Sequence, residues 1–225
     1  NATPSQQYPF ENLAVYMLDQ LTLIQSYEFD AHANLISFLD TPEDNSIGGV
    51  FNPIYDNVSS IIGEAVSTIP FNGGWIGSLE SIECTKGYWV SIYDENDSLT
   101  ISGSGSCSID QEYSLYTGPN LVSYPLYQTQ TIEGSLPDYV EDGLMGIISD
   151  GSSAINIEGD WFGSLVGLGL EPKQGYWLLT DYDLQFTYEV EDQVLAKRPY
   201  INYNLYREMP AEFSVEHSTV QAFVY

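Results

Sequence analysis

Apolar residues in this chain follow two rhythms, and both occur twice. Val50, Ile54, Val58, Ile61 and Ile62 are spaced by four, four, three and one, and Leu136, Val140, Leu144, Ile147 and Ile148 repeat that spacing. Such spacing lines one face of a helix, so a short amphipathic helix is expected at each place. Pro53 and Pro137 stand near the expected starts, where a missing amide donor costs nothing; Ser135 is placed to cap the second helix, and Gly63 and Asp150-Gly151 to end them. The other rhythm belongs to short segments rich in β-branched and aromatic residues and bounded by Gly, Asn, Asp and Ser, which read as strands. They are SYEFDA, ANLISFLD, YWVSIYD and SLTISG in the first half, and EYSLYTG, PNLVSYPLY, YWLLTDYD and LQFTYEVE in the second. DENDS at 94–98 is expected to turn one hairpin and DYD at 181–183 another, while Trp75 and Trp161 are expected in loops.

The duplication keeps its register. A displacement of 86 residues places Asn34-Leu35-Ile36-Ser37-Phe38 on Asn120-Leu121-Val122-Ser123-Tyr124, Tyr27 on Tyr113, Ile61-Ile62 on Ile147-Ile148, and GGWIGSL on GDWFGSL. Two further residues bring Gly87-Tyr88-Trp89 onto Gly175-Tyr176-Trp177. Several motifs in one order define an internal repeat. The expected fold is mainly β with a minor α component: two tandem homologous units, each an antiparallel sheet with one short amphipathic helix, plus terminal strands. Residues 1–26 are expected as an N-terminal strand segment, 27–103 as the first unit, 104–112 as a linker, 113–189 as the second unit, and 190–225 as a C-terminal extension with a terminal strand. The composition of GSGSC at 103–107 is that of a short flexible connection. In each GYW strand the glycine is expected to make the turn, with one ring entering the core and the next facing outward.

The order NLIS, helix, Trp-containing loop, GYW and hairpin spans about residues 27–189 and resembles a repeat of secreted and cell-surface proteins of marine bacteria and of structural proteins of their phages. FSVEHSTVQAFVY at 213–225 resembles the strand that follows such repeats and opens a further module. The resemblance implies assembly and attachment rather than catalysis, and it carries over no catalytic residue.

Charge narrows the partners. Among 225 residues, 32 are acidic and 5 basic, and the net charge of −27 repels nucleic-acid phosphates and anionic lipid. No apolar stretch approaches the roughly 18 residues that span a bilayer. Neither nucleic acid nor membrane insertion is therefore expected. At 43% hydrophobic, the chain has apolar material for one large core or two smaller ones. It starts at Asn1 rather than Met, as expected of a processed protein or a piece of a longer one. An acidic, lysine-poor surface suits a medium whose salt or divalent cations screen self-repulsion. An extracellular, cell-surface or virion-surface setting is expected, with an acidic cytosolic protein as the plainer alternative. Cys84 and Cys107 lie 23 residues apart, a spacing that leaves disulfide and free thiols both open.

Candidate chemistry is sparse. Trp75, Trp161, Tyr88 and Tyr176 offer rings that could stack on the apolar faces of sugars, although packing is the simpler account of all four. Asp94 and Asp97, with Asp181 and Asp183 in the second unit, could form an oxygen cage for Ca2+. The run departs from an EF-hand, with Leu99 where glycine is needed and no Glu at the twelfth place, so solvated turn acids are the plainer account. His32 and His217 lack a second histidine at ligand spacing, and the familiar hydrolase, metalloprotease, phosphate-loop and Cys-x-x-Cys motifs are missing. Close carboxylate pairs mean little among 32 acids. Sequons at Asn1, Asn57 and Asn96 matter only where the source glycosylates. Lys197, Arg198 and Arg207 form a basic patch suited to dock on another copy's acidic face. Together these features point to a non-enzymatic structural or interaction subunit of an extracellular or virion-surface assembly. Its expected contacts are sheet edges, terminal strands and exposed aromatics, in self-assembly or a larger surface complex. A carbohydrate-binding adhesin or host-attachment module is the first alternative, and a polysaccharide-acting hydrolase the second.

Overall fold

Strict alternation of exposed and buried side chains makes Ile24–Phe29 the first strand, β1. The structure, a computed structural model, describes residues 23–93 and 97–190, with only the backbone described at Asp97. After β1 come β2 (His32–Ser37), helix α1 (Ile47–Phe51) running into one 3-10 turn (Asn52–Ile54), β3 (Val58–Gly63), β4 (Val66–Phe71), β5 (Gly74–Gly77), β6 (Gly87–Ile92) and β7 (Asp97–Ser102). The second repeat answers strand for strand. It holds β8 (Tyr113–Leu115), β9 (Gly118–Ser123), α2 (Ile132–Ser135), α3 (Asp138–Glu141), β10 (Leu144–Ile148), β11 (Ser153–Ile157), β12 (Asp160–Phe162), an additional helix α4 (Ser164–Leu168), β13 (Gly175–Thr180) and β14 (Leu184–Phe186).

Each repeat is an antiparallel five-stranded sheet, ordered β2-β6-β3-β4-β5 or β9-β13-β10-β11-β12, with a two-stranded ribbon, β1-β7 or β8-β14. The fold is thus mainly β, in two tandem units of like topology, each with short helical turns. The expected hairpins after GYW do not form. β6 already pairs with β2 and β3, and β13 with β9 and β10, so neither has a free edge, and the chain crosses to the ribbon instead.

The expected helices are real but shorter than their spacing predicts. Ser46 and Thr131 are the caps, their hydroxyls accepting from Gly49 N and Gly134 N at 3.0 Å, whereas Ser135 closes its helix and bonds back to Thr131 O. Val58, Ile61 and Ile62 belong to β3, and Leu144, Ile147 and Ile148 to β10. A bulge explains the mistaken period. The register against β6 slips between Val58 and Ser60, and that against β13 slips between Leu144 and Gly146. One extra residue puts side chains three apart on the same buried face, which mimics a helical step.

Two further strands per repeat arise where loops were expected. Asn72 and Gly73 turn β4 into β5 with φ of 51° and 79°, and Glu158 and Gly159 turn β11 into β12 with φ of 56° and 93°. Positive φ at both central residues is the mark of a two-residue hairpin turn compatible with strand twist. The following glycine, Gly77 or Gly163, lies against the backbone of Ser67 or Ser153, where a Cβ would collide with the carbonyl oxygen. Ser78 and Ser164 then accept from the amides of Ser67 and Ser153 at 3.3 Å. The repeated Trp-x-Gly-Ser-Leu motif is a strand end, finished by buried Leu79 or Leu165.

Each repeat encloses its own core between sheet, ribbon and helical turns. One contains Tyr27, Phe29, Phe38, Phe51 and Tyr88, and the other Tyr113, Tyr124, Tyr176, Phe186 and Tyr188. Their rings meet mainly edge-on, as at Tyr124–Tyr188 (5.3 Å, 90°) and Tyr113–Tyr188 (5.0 Å, 88°). Polar ends are mostly bonded: Tyr27 OH donates to Ser37 O at 2.9 Å, and Tyr88 and Tyr176 accept from Glu83 N and Glu171 N at 2.7 Å.

Burial pushes the phenols of Tyr27, Tyr88, Tyr176 and Tyr188 well above the usual tyrosine range, and that of Tyr113 up to about 12. An unfolded tyrosine ionises near pH 10, so each of these groups favours the folded state fully below that pH. The contribution falls as pH rises from about 10 towards the folded values, by about 1.4 kcal/mol per pH unit per tyrosine. Alkaline titration should therefore show cooperative loss of far-UV circular dichroism between about pH 10 and 12, with the buried phenols ionising in the same step in 295 nm absorbance.

Candidate functional site

The two repeats meet through a reciprocal exchange of backbone bonds. Ser37 at the end of β2 donates its amide to Lys173 O (2.7 Å) and its hydroxyl to Gln174 O (2.8 Å). Ser123 at the end of β9 does the same to Thr85 O (3.1 Å) and Cys84 O (2.6 Å). Repeat one grips the segment before β13, and repeat two grips the segment before β6. Such mutual exchange relates the halves by a local two-fold rather than by simple stacking.

Glycine in each GYW strand follows from this contact and not from a turn. A Cβ on Gly87 would lie 2.9 Å from Val122 O, and one on Gly175 would lie 2.9 Å from Ile36 O, with Leu121 and Leu35 equally close. The residues of NLIS divide the work. Asn34 and Asn120 bind both backbone groups of Asp30 and Tyr116, Leu35 and Leu121 cover the opposing glycines, Ile36 and Val122 enter the cores, and the serines cross the junction.

A local two-fold generates two grooves, and they are finished differently. In one, Lys86 Nζ lies 3.6 Å from Glu64, Glu64 accepts from Leu121 N at 3.2 Å, and Gln111 donates to Cys84 O at 3.1 Å. The Cys84–Cys107 disulfide, with Cα atoms 5.5 Å apart, holds the connecting segment there. That segment is not loose. The buried carboxylate of Asp40 gathers the amides of Gly105, Ser106 and Cys107 at 2.6, 3.0 and 3.1 Å, a backbone nest closed around an anion.

The second groove stays open as a cleft of about 450 Å³, lined by Glu28, Asp30, Asp150 and Glu171 over Leu165 and Leu168. Asp150 and Gln174 occupy the places of Glu64 and Lys86, so this side has no ion pair at the matching positions. The cleft offers negative charge and hydrogen-bond acceptors. No histidine, cysteine or lysine lines it. Lys173 instead spans the junction nearby, donating to Ser26 O at 2.7 Å and lying 5.4 Å from the Tyr27 ring centre.

Away from the junction, the solvent sides of both sheets are apolar. Ile69 pairs with Ile76 across β4 and β5, and Ile155 with Phe162 across β11 and β12; all four are exposed, as are Ile62, Phe71, Ile148 and Ile157. These faces were missed because placing Trp75 and Trp161 in loops hid the strands on either side, although Asn72-Gly73 is a legible turn signal.

The four proposed sugar-stacking rings point elsewhere. Tyr88 and Tyr176 are core residues, and Trp161 is 8% exposed with its indole N–H donating to Glu141 at 2.7 Å. Burial raises the Glu141 carboxyl above its ordinary value, opposed by this bond and reinforced by Glu133, Asp138 and Asp142. Trp75 is half-buried against Phe51 and Tyr55 and donates to Asn52 at 3.0 Å. Aromatic contacts with a partner would have to use other rings. Asp183 accepts from the amide and hydroxyl of Thr117, and Asp181 is exposed beside it in sequence. Among the described residues, no group of three or more His, Cys, Asp or Glu side chains is arranged to hold a metal. Asp94, the Asp97 side chain, His217, Lys197, Arg198 and Arg207 lie outside the described residues, while His32 is exposed at the start of β2. Among the described residues, no helix is long and apolar enough to cross a membrane.

Compared with protein-family models, curated proteins and solved structures, the chain matches none. The asymmetry of the grooves has a direct consequence. Replacing Cys84 and Cys107 with Ser should lower stability by about 3 kcal/mol, the loop entropy of a crosslink of this span, read as a lower urea midpoint. Exchange of the Gly105, Ser106 and Cys107 amides should accelerate as well.

Proposed function

We propose that this protein is a structural and interaction subunit of an extracellular or virion-surface assembly, which meets protein partners through its outer sheet faces and sheet edges; the terminal segments at 1–22 and 191–225, expected to include strands, lie outside the described residues. One observation carries this role: four large apolar side chains per repeat face solvent at matching positions, where neither core uses them. Contiguous exposed apolar surface on an otherwise soluble protein marks a contact site. The charge of −27, the Cys84–Cys107 disulfide and the resemblance of the NLIS to GYW order to surface and phage structural repeats support the setting. Catalysis has no place in this role. A glycan-binding role is the weaker reading, since Trp75 and Trp161 are engaged within the fold.

In the cells or particles that carry it, the protein should fractionate with the envelope or particle surface, bind antibody added from outside, and have Cys84 and Cys107 oxidised. Recovery from the soluble interior with both thiols reduced would contradict the proposed setting.

A further inference from the structure

The duplication supplies its own comparison between equivalent exposed positions. Away from the outer faces, where Asp56 answers Asp142 and Glu83 answers Glu171 unchanged, several others have changed character: Ser26 answers Glu112, Glu28 answers Ser114, Asp30 answers Tyr116, and Ala33 answers Pro119. On the outer faces they have not. Ile62 answers Ile148, Ile69 answers Ile155, Phe71 answers Ile157, and Ile76 answers Phe162, with exposures from 43% at Ile148 to 55% at Ile76. The first face carries no charge at Ile62, Ser67, Ile69, Phe71 or Ile76, and the second has Asp160 at its rim with Glu158 in the adjoining turn.

What covers such a face must tolerate the rest of the molecule. Two copies, each at −27, repel wherever acidic surfaces meet, so they can approach closely only through uncharged areas. The two outer faces are such areas, and each presents the same kind of apolar row to the other. Four half-exposed side chains of this size expose roughly 400 Å² per face, about half of the ~800 Å² each partner contributes to a standard interface. That proportion matches the apolar share of ordinary interfaces.

Resting on the assembly role above, we propose that the occupant of each face is a second copy of this chain: the β3-β4-β5 face of one copy packs on the β10-β11-β12 face of the next. Each copy carries both faces, so the contact is heterologous and propagates into a linear polymer or closes into a ring. Salt favours growth by screening the repulsion between acidic flanks.

The test uses the full chain, with mass measured by light scattering and sedimentation at low salt and at about 1 M NaCl, where the screening length is about 3 Å. Wild type should grow beyond a dimer at high salt. Ile69→Thr with Ile76→Thr, and separately Ile155→Thr with Phe162→Thr, should each stay monomeric while keeping wild-type circular dichroism and urea midpoint. Mixing the two variants should give a dimer of one with the other and nothing larger, because one intact face of each kind remains. Nonspecific stickiness would not produce that stop. A wild type that remains monomeric at both salts overturns the proposal, as does a mixture that forms no dimer. Dimers of either variant alone overturn the head-to-tail arrangement. Wild-type monomers would leave the surface role to its own fractionation test, since a different protein could then occupy the faces.

Discussion

The backbone exchange at Ser37 and Ser123 is the constraint on which the rest of the structure depends. Each repeat presses the end of its NLIS strand against the entry to the other's GYW strand, close enough that only glycine fits at Gly87 and Gly175. Because the same contact is made in both directions, neither half can shift without breaking bonds in both. The aromatic cores lie directly behind these strands, with Tyr88 and Tyr176 immediately following the two glycines. The duplicated triplet is therefore a joint and a core element in consecutive residues: glycine for the neighbour, tyrosine for the interior, tryptophan for the outer side of the sheet.

The junction also accounts for much of the scarce positive charge. Lys86 and Lys173 are two of five basic residues, and both act where the repeats meet, one beside Glu64 and the other over Tyr27. An exposed ion pair of this kind contributes less than about 1 kcal/mol, so these lysines matter more for orientation than for stability. Among the described residues the other charged side chains are acidic, and the apolar sheet faces are among the places that interrupt them.

Much of the architecture was legible from register. The paired motifs separated by 86 residues located both sheets, and the β-branched and aromatic enrichment of the segments at β1, β2, β6 and β7 located most of their strands. The failures have specific causes. The bulges at Val58–Ser60 and Leu144–Gly146 gave strands a helical spacing, so the helices were drawn too long. Local sequence could not reveal that β6 and β13 would be central, and hence that β7 and β14 must pair elsewhere. Asp40 stands where the second repeat has Leu126, so its hold on the connecting segment was invisible to any comparison of the repeats. The candidate surfaces were less legible still. Trp75 and Trp161 drew notice by residue type, whereas the exposed isoleucines declare themselves only once both sides of the sheet are known.

Native-state hydrogen exchange at the amides of Ser37 and Ser123 tests the joint most directly. If the two repeats form one cooperative body through reciprocal bonds, both amides should exchange only by global opening, with the same free energy as the core amides of Val90 and Leu178 in the central strands. Rapid exchange at either serine while both cores stay protected, or separate opening free energies for the two cores, would contradict a shared junction.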